Sequence, residues 1–232
     1  IGVPQGGPLS PILSNIYLNE LDKELETRGL KFVRYADDIQ IYVKSERAGQ
    51  RVLERITKYL DKTLKVEVNL EKSAVRKYNH TKFLGFSFYK HKGVIKISIH
   101  PKSRLKFKNR IREILKRNRG RSIELVIKQL NVFTRGWINY FKVANNGSFV
   151  MKMDSWIRRK IRVYIWKQWK KISARHRNLI KLGIPIAKAW EYANTRKGLW
   201  RISNSPILGR TLTNDYIGKL GYLQLNKLYS QK

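Results

Sequence analysis

The stretch that decides the architecture is Lys31-Phe32-Val33-Arg34-Tyr35-Ala36-Asp37-Asp38-Ile39-Gln40-Ile41-Tyr42-Val43. Two runs rich in β-forming residues, Lys31 to Tyr35 and Ile39 to Val43, flank Ala36-Asp37-Asp38. In the second run Ile39, Ile41 and Val43 alternate with Gln40 and Tyr42, and a period of two on either side of a turn predicts a hairpin. Upstream, Ser10-Pro11 is a helix start signal, Ile12, Leu13, Ile16, Tyr17, Leu21 and Leu25 form an apolar stripe, and Gly29 ends it. Downstream, Ser45 caps a second predicted helix carrying Ala48, Val52, Ile56, Tyr59 and Leu60. Short strands are then expected around Val66 to Leu70 and Lys82 to Tyr89, with a turn at His91-Lys92-Gly93 and a last strand from Val94 to Ile99. Helices and hairpins that interleave in this way make an α+β region.

From Pro101 onward the apolar period becomes helical. A helix over Arg104 to Arg119 is expected to turn Leu105, Ile111, Ile114 and Leu115 inward, and Ser122 to Phe141 reads as a second helix or helix pair. Asp154 is expected to cap a third helix, on which Trp156, Ile157, Ile161, Tyr164 and Ile165 alternate with Arg158, Arg159, Arg162 and Lys167. The principal boundary is expected near His100-Pro101 and a softer one near Asn145-Asn146-Gly147.

The charge follows the same division. The 232 residues include 50 Lys or Arg and 16 Asp or Glu, for a formal charge of +34. Up to residue 100 there are 18 basic and 11 acidic residues, and beyond it 32 and 5, so the two parts carry +7 and +27. Lys and Arg at that density release condensed counterions from a phosphate backbone, which favours nucleic acid over an acidic protein as partner; a membrane surface is the competing polyanion. All six tryptophans lie in the basic part, where some are candidates to stack on bases and most, at helical spacing, belong in a core. The chain contains no cysteine, which excludes a disulfide framework and a cysteine-ligated zinc finger and suits a reducing cytoplasm. No apolar run reaches the ~18 to 20 residues that span a bilayer, so no membrane partner is expected.

Asp37 and Asp38 admit two readings. Aspartates are common in hairpin turns, where they bond to their own backbone. Two carboxylates held side by side on strands in a strongly cationic chain also suit a divalent cation, and oxygen ligands without His or Cys favour magnesium. Paired magnesium ions bridged by carboxylates are a general device for in-line attack of a hydroxyl on a phosphate.

The motifs resemble those of reverse transcriptases. Tyr35-Ala36-Asp37-Asp38 is similar to their YADD box, and Pro4-Gln5-Gly6-Gly7-Pro8-Leu9-Ser10-Pro11 to their PQG(G)xLSP motif. Val68-Asn69-Leu70-Glu71-Lys72-Ser73 resembles the motif that follows, and Phe83-Leu84-Gly85-Phe86 the one at the primer grip. Residues 156–162, 166–170 and 196–206 resemble the maturase-specific region of group II intron-encoded proteins. The fold this implies is a partial polymerase palm, an antiparallel sheet with helices, over residues 1–100, followed by an all-α thumb over 101–146 and a maturase-like RNA-binding region over 147–232.

The resemblance implies an RNA-directed DNA polymerase that also binds its intron RNA and helps it splice. Asp37 and Asp38 would be the catalytic, magnesium-binding carboxylates. Tyr35 and Ala36 would lie beside the primer end and incoming nucleotide, Gln5 and Gly6 near the templating pair, and Lys72 beside the triphosphate; Phe83, Leu84, Gly85 and Phe86 would hold the primer. Phosphate contacts are expected from Arg104, Lys106, Lys108, Arg110 and Arg112, and from Arg158, Arg159, Arg162, Lys167, Lys170, Lys171, Arg196 and Lys197. The partners implied are structured intron RNA and a duplex of RNA template with DNA primer, in an intracellular, cytoplasmic setting. Family members carry a further catalytic aspartate and the fingers ahead of the PQG motif. The chain alone is therefore expected to be inactive as a polymerase and to need an amino-terminal fingers-palm piece, with an uncovered sheet edge and apolar surface where that piece would pack. Neither the DNA-binding segment nor the Cys/His-clustered endonuclease of some relatives is expected. The alternative function is a non-catalytic RNA-binding group II intron splicing factor.

Overall fold

The computed structural model describes residues 9–117 and 120–230, which divide into two compact units, residues 1–90 and 91–232. In the first unit, helix α1 (Ser10–Thr27) is followed by strands β1 (Lys31–Tyr35) and β2 (Asp38–Tyr42), helix α2 (Glu46–Lys62) and a 3-10 turn at Tyr78–His80. The expected hairpin forms, antiparallel, with Phe32 opposite Ile41, Arg34 opposite Ile39 and Tyr35 opposite Asp38. Its alternation is what buries it: Phe32, Ile39 and Ile41 lie against Leu21 and Leu25 of α1 and Ile56 and Leu60 of α2. The Ser45 cap is also realised, its Oγ accepting from the Ala48 amide at 3.2 Å. Helix α2 comes close to Val75 at Gly49, where a Cβ would stand 2.7 Å from Val75 Cγ1.

The strand expected at Val66 to Leu70 does not form. The Val66 amide bonds the Leu60 carbonyl at the end of α2, and the Asn69 carbonyl accepts from the Lys72 and Ser73 amides at 3.2 and 3.0 Å, so local bonds take a backbone group near each end of the segment that a ladder would need. Val66 and Val68 still pack on the core, which is the alternation the sequence displayed. The next strand, β3 (Phe86–His91), begins later than expected because Phe83 to Phe86 is a tight turn. Strand β4 (Val94–Ile99) follows across Lys92-Gly93, and β3 and β4 make the second two-stranded sheet.

Beyond it the second unit is helical: α3 (Pro101–Ile114), α4 (Ile123–Phe141), α5 (Gly147–Gln168), α6 (Ile172–Lys181), α7 (Ile186–Ala193), α8 (Leu199–Ile202), α9 (Pro206–Thr211), α10 (Asn214–Lys219) and α11 (Leu225–Ser230). The α+β class stands. Helix α3 starts three residues before the expected Arg104, because Pro101 is fitted to a first turn and His100 Nδ1 accepts from the Lys102 amide. It stops at Ile114, whose carbonyl accepts from the Arg121 guanidinium at 2.6 Å. Its buried face is Ser103, Phe107, Ile111 and Ile114, which leaves Leu105 exposed, against expectation. One hydrophobic core joins all these helices, with Phe107, Leu130, Ile157, Ile161, Trp166, Leu179, Ile202, Leu208, Ile217 and Leu225 at most 1% exposed.

Asp154 is not a cap of its own helix, since α5 begins seven residues earlier. It lies buried in mid-helix and accepts from Tyr222 Oη and the Leu225 amide, each at 2.9 Å, and from Arg158. A carboxylate on α5 thus supplies the first turn of α11 with its acceptor. No described helix is long and apolar enough to cross a membrane.

Candidate functional site

Asp37 and Asp38 occupy the tip of the β1–β2 hairpin, and both are exposed. The two-residue link Ala36-Asp37 turns sharply because Ala36 has φ +53°, a left-handed backbone that a residue with a Cβ adopts at a cost. Arg34 holds that turn. From the helix-facing side of β1 its Nη1 donates to the Ala36 carbonyl and to Asn15 Oδ1, both at 3.0 Å, while Nε and Nη2 grip the Asp22 carboxylate, with Nε at 2.7 Å from Oδ1. The bonds to Asp22 raise the Arg34 pKa above its ordinary value, against the opposing effect of burial. Asp22 and Asn15 are on α1, so the helix that follows the proline-rich motif fixes the loop that carries the acids. A groove of about 630 Å³ is lined by Pro11, Asn15, Asp22, Phe32, Arg34, Tyr35 and Ala36. The groove includes the expected Tyr35 and Ala36 together with Arg34, Asp22 and Asn15, which the sequence motifs do not single out.

The second motif turn lies close to this hairpin. Phe83 and Phe86 exchange both backbone hydrogen bonds, at 3.0 and 2.8 Å, and the residues between them, Leu84 and Gly85, have φ +49° and +85°. Positive φ at both central positions is the hairpin turn for which glycine is favoured second. The Gln40 side chain on β2 donates to the Lys82 carbonyl at 3.1 Å, which ties this turn to the hairpin face bearing Val33, Gln40 and Asp38. Tyr42, on that face, donates to Gln40 Oε1, and burial pushes its phenol pKa up. Lys72 sits on the Asn69 turn with its side chain exposed. Gln5 and Gly6 lie outside the described residues.

Asp37 and Asp38 offer hard oxygen donors at adjacent positions, with no ion pair to either among the described residues. No three His, Cys, Asp or Glu side chains converge among the described residues. That set is too small for a cage and fits an ion that keeps waters and takes the rest of its shell from phosphate oxygens.

The expected phosphate-binding cations fall into two groups. Lys106, Arg110, Arg112, Lys167, Lys170, Lys171, Arg196 and Lys197 are exposed, and Lys108 is half-buried. Arg104, Arg158, Arg159 and Arg162 are engaged within the protein. Arg104 bonds Asn146 Oδ1 at 2.5 Å and lies 5.0 Å over the Phe149 ring; Arg158 pairs with Asp154. Arg159 bonds Ser203 Oγ and the Trp200 carbonyl, and Arg162 bonds the Leu212 carbonyl and Asn214. Burial lowers the pKa of Arg104 and Arg162. Of the tryptophans, Trp166 is core, whereas Trp190 and Trp200 are 47% and 45% exposed.

Residues 1–88 match the family model for reverse transcriptase (RNA-dependent DNA polymerase), and residues 104–183 match that for the group II intron maturase-specific domain. The chain belongs to the group II intron reverse transcriptase/maturase family. Protein YkfC of Escherichia coli (strain K12) is 30% identical over 138 residues, which are 45% of this chain and 35% of that protein. The chain thus spans about a third of the length of the curated relative it matches. The reverse transcriptase match holds the hairpin, the groove and the Phe83 turn, and the maturase match runs from α3 to just beyond α6.

Proposed function

We propose that residues 1–100 serve as part of the palm of an RNA-directed DNA polymerase, that residues 101–146 act as a thumb and that residues 147–232 bind structured intron RNA. The observation that carries the polymerase reading is the shared groove: Pro11, from one motif, and Tyr35 and Ala36, from another 24 residues later, line one cleft directly beside Asp37 and Asp38. Asp37 and Asp38 would hold magnesium, which supplies charge neutralisation at the reacting phosphate and acidifies the attacking primer hydroxyl when bound. Arg34 fixes the loop that aims both carboxylates. Tyr35 and Ala36 offer the groove wall to the primer end and the incoming nucleotide, the turn at Phe83 to Phe86 offers half-buried aromatic rings to the primer strand, and exposed Lys72 can reach a phosphate. In the second unit the exposed Lys106, Arg110, Arg112, Lys167, Lys170, Lys171, Arg196 and Lys197 suit the backbone of an A-form duplex or folded RNA, which is recognised by shape and phosphate.

Primer extension on an RNA template with magnesium tests this, using the chain alone and the chain with an added palm segment bearing the third aspartate. The expected result is extension only with the added segment, abolished by Asp37→Ala or Asp38→Ala. A second reading, a splicing factor whose palm is only a scaffold, is favoured by the lack of a third converging carboxylate among the described residues. Tight, salt-sensitive RNA binding with no extension in either mixture decides for it.

A further inference from the structure

Lys160 on α5 stands between two indoles. Its Nζ is 5.0 Å from the centroid of Trp156 and 5.8 Å from that of Trp200. Arg112, from α3, lies 5.8 Å over the Trp156 ring, and the Arg159 guanidinium covers one face of Trp200 at 3.7 Å. Arg159 is locked there by Ser203 Oγ at 3.0 Å and the Trp200 carbonyl at 2.7 Å. Lys160 and Trp200 border a cavity of about 340 Å³ whose other lining residues are Leu115, Arg117, Val163 and Leu199. Among the described residues no acidic side chain lines it. The Lys160 ammonium has neither a hydrogen bond nor an ion pair among the described residues, although it is half-buried. Its pKa is lowered by burial and by the charges of Arg112 and Arg117.

A half-buried lysine with cationic neighbours and no counter-charge calls for an anion. A free phosphate would satisfy the charge and leave the rest of the cavity unused. The walls from Leu115, Val163 and Leu199 are apolar, and Trp200 presents a large accessible aromatic surface backed by a fixed guanidinium. Such a platform accepts a flat heteroaromatic ring, and stacking on it tolerates any base. The volume falls in the range of about 300 to 1,000 Å³ typical of small-molecule pockets. We propose that this cavity takes one nucleotide turned out of an RNA helix, with its base on Trp200 and its phosphate at Lys160. The proposal rests on the RNA-binding reading of the second unit and gives it a specific preference, for helices that contain an unpaired nucleotide.

The test uses the whole chain and three RNA hairpins of equal length: fully paired, carrying a single bulged adenosine, and carrying an abasic residue at the bulge. Binding is followed by fluorescence anisotropy at several salt concentrations. The expected result is about tenfold tighter binding of the bulged hairpin than of the paired or abasic ones, from one added base stack. Trp200→Leu removes that preference and leaves paired-hairpin affinity unchanged within about twofold. Lys160→Met weakens the bulged hairpin alone and lowers its log–log salt slope by about one unit. A 2-aminopurine bulge provides a readout in the unmodified protein, and its emission is expected to fall on binding and to stay high with Trp200→Leu. Equal affinity for bulged and paired hairpins, or a preference retained by the abasic one, overturns the pocket and leaves general RNA binding intact. Failure to bind any hairpin overturns the RNA reading itself.

Discussion

At the scale of single residues, the hairpin tip rests on Arg34. Its guanidinium answers four acceptor atoms on Asp22, Asn15 and Ala36, and its side chain is only 12% exposed. Arg34→Ala is expected to cost the first unit about 1 to 3 kcal/mol, the lower bound reflecting partial solvent screening of Asp22. Urea unfolding of the variant checks this. Arg34→Lys should recover less than half, since an ammonium cannot bond both carboxylate oxygens and the turn carbonyl together. The residue scale is also where the sequence was least legible. That two acids stand at a tip follows from the alternation around them, but the arginine that aims them bonds residues 12 and 19 positions away, and no local pattern announces such a pairing. Asp154 misled for the related reason that a short acid before an apolar run has the composition of a cap. Its partners, Tyr222 and Leu225, lie about 70 residues further along.

Among elements, those with a local signature were readable and those set by competition were not. The β1–β2 hairpin and the capped start of α2 obey period and cap chemistry, and both formed as expected. The segment at Val66 to Leu70 has strand alternation, yet its first amide is taken by the end of α2 and its Asn69 carbonyl by the amides of Lys72 and Ser73. The apolar stripe of α1 is divided: Leu21 and Leu25 are buried, whereas Ile12, Leu13, Ile16 and Tyr17 are 45 to 66% exposed. A stripe says which face is apolar and nothing about how much of it finds a neighbour. The approach of α2 to Val75 gives a prediction at this scale. Gly49→Ala should lower stability by about 1 kcal/mol, because the crowding against Val75 outweighs the gain in helix propensity. In the double variant with Val75→Ala the clash is gone. A thermal-unfolding cycle should therefore find the pair less destabilised than the sum of its parts.

At the scale of the whole molecule, the +27 of the second part and its shared core are two sides of one arrangement: apolar faces converge, and the cations are left to the surface or to carbonyl acceptors. The charge asymmetry was legible from counting, whereas the inward use of Arg104, Arg159 and Arg162 was not, since it depends on which acceptors the fold brings near. The Asp154–Tyr222 pair makes the core sensitive to alkali. Burial, followed by the neighbouring Asp154 charge, pushes the Tyr222 phenol far above its ordinary value. Above about pH 10 the unfolded chain releases this proton and the folded one keeps it, so stability falls as pH rises, by up to about 1.4 kcal/mol per unit from this group. Urea titrations between pH 8 and 11 should show that slope. Tyr222→Phe should flatten it, while lowering stability at neutral pH by about 1 to 2 kcal/mol for the lost hydrogen bond.

The closure of that core by its last helix has a bearing on biosynthesis. Asn131 bonds the Gly221 carbonyl and the Leu223 amide, and Tyr229 bonds the Ala144 carbonyl, at sequence separations of 85 to 92 residues. While a ribosome is still translating the stretch before Tyr222, α4 and α5 have emerged with their greasy sides bare, whereas the hairpin unit, built from near neighbours, can already be native. The nascent protein therefore passes through an interval in which its more cationic half is sticky, and in which a polyanion on the outer surface and a chaperone on the inner one would not compete for the same groups.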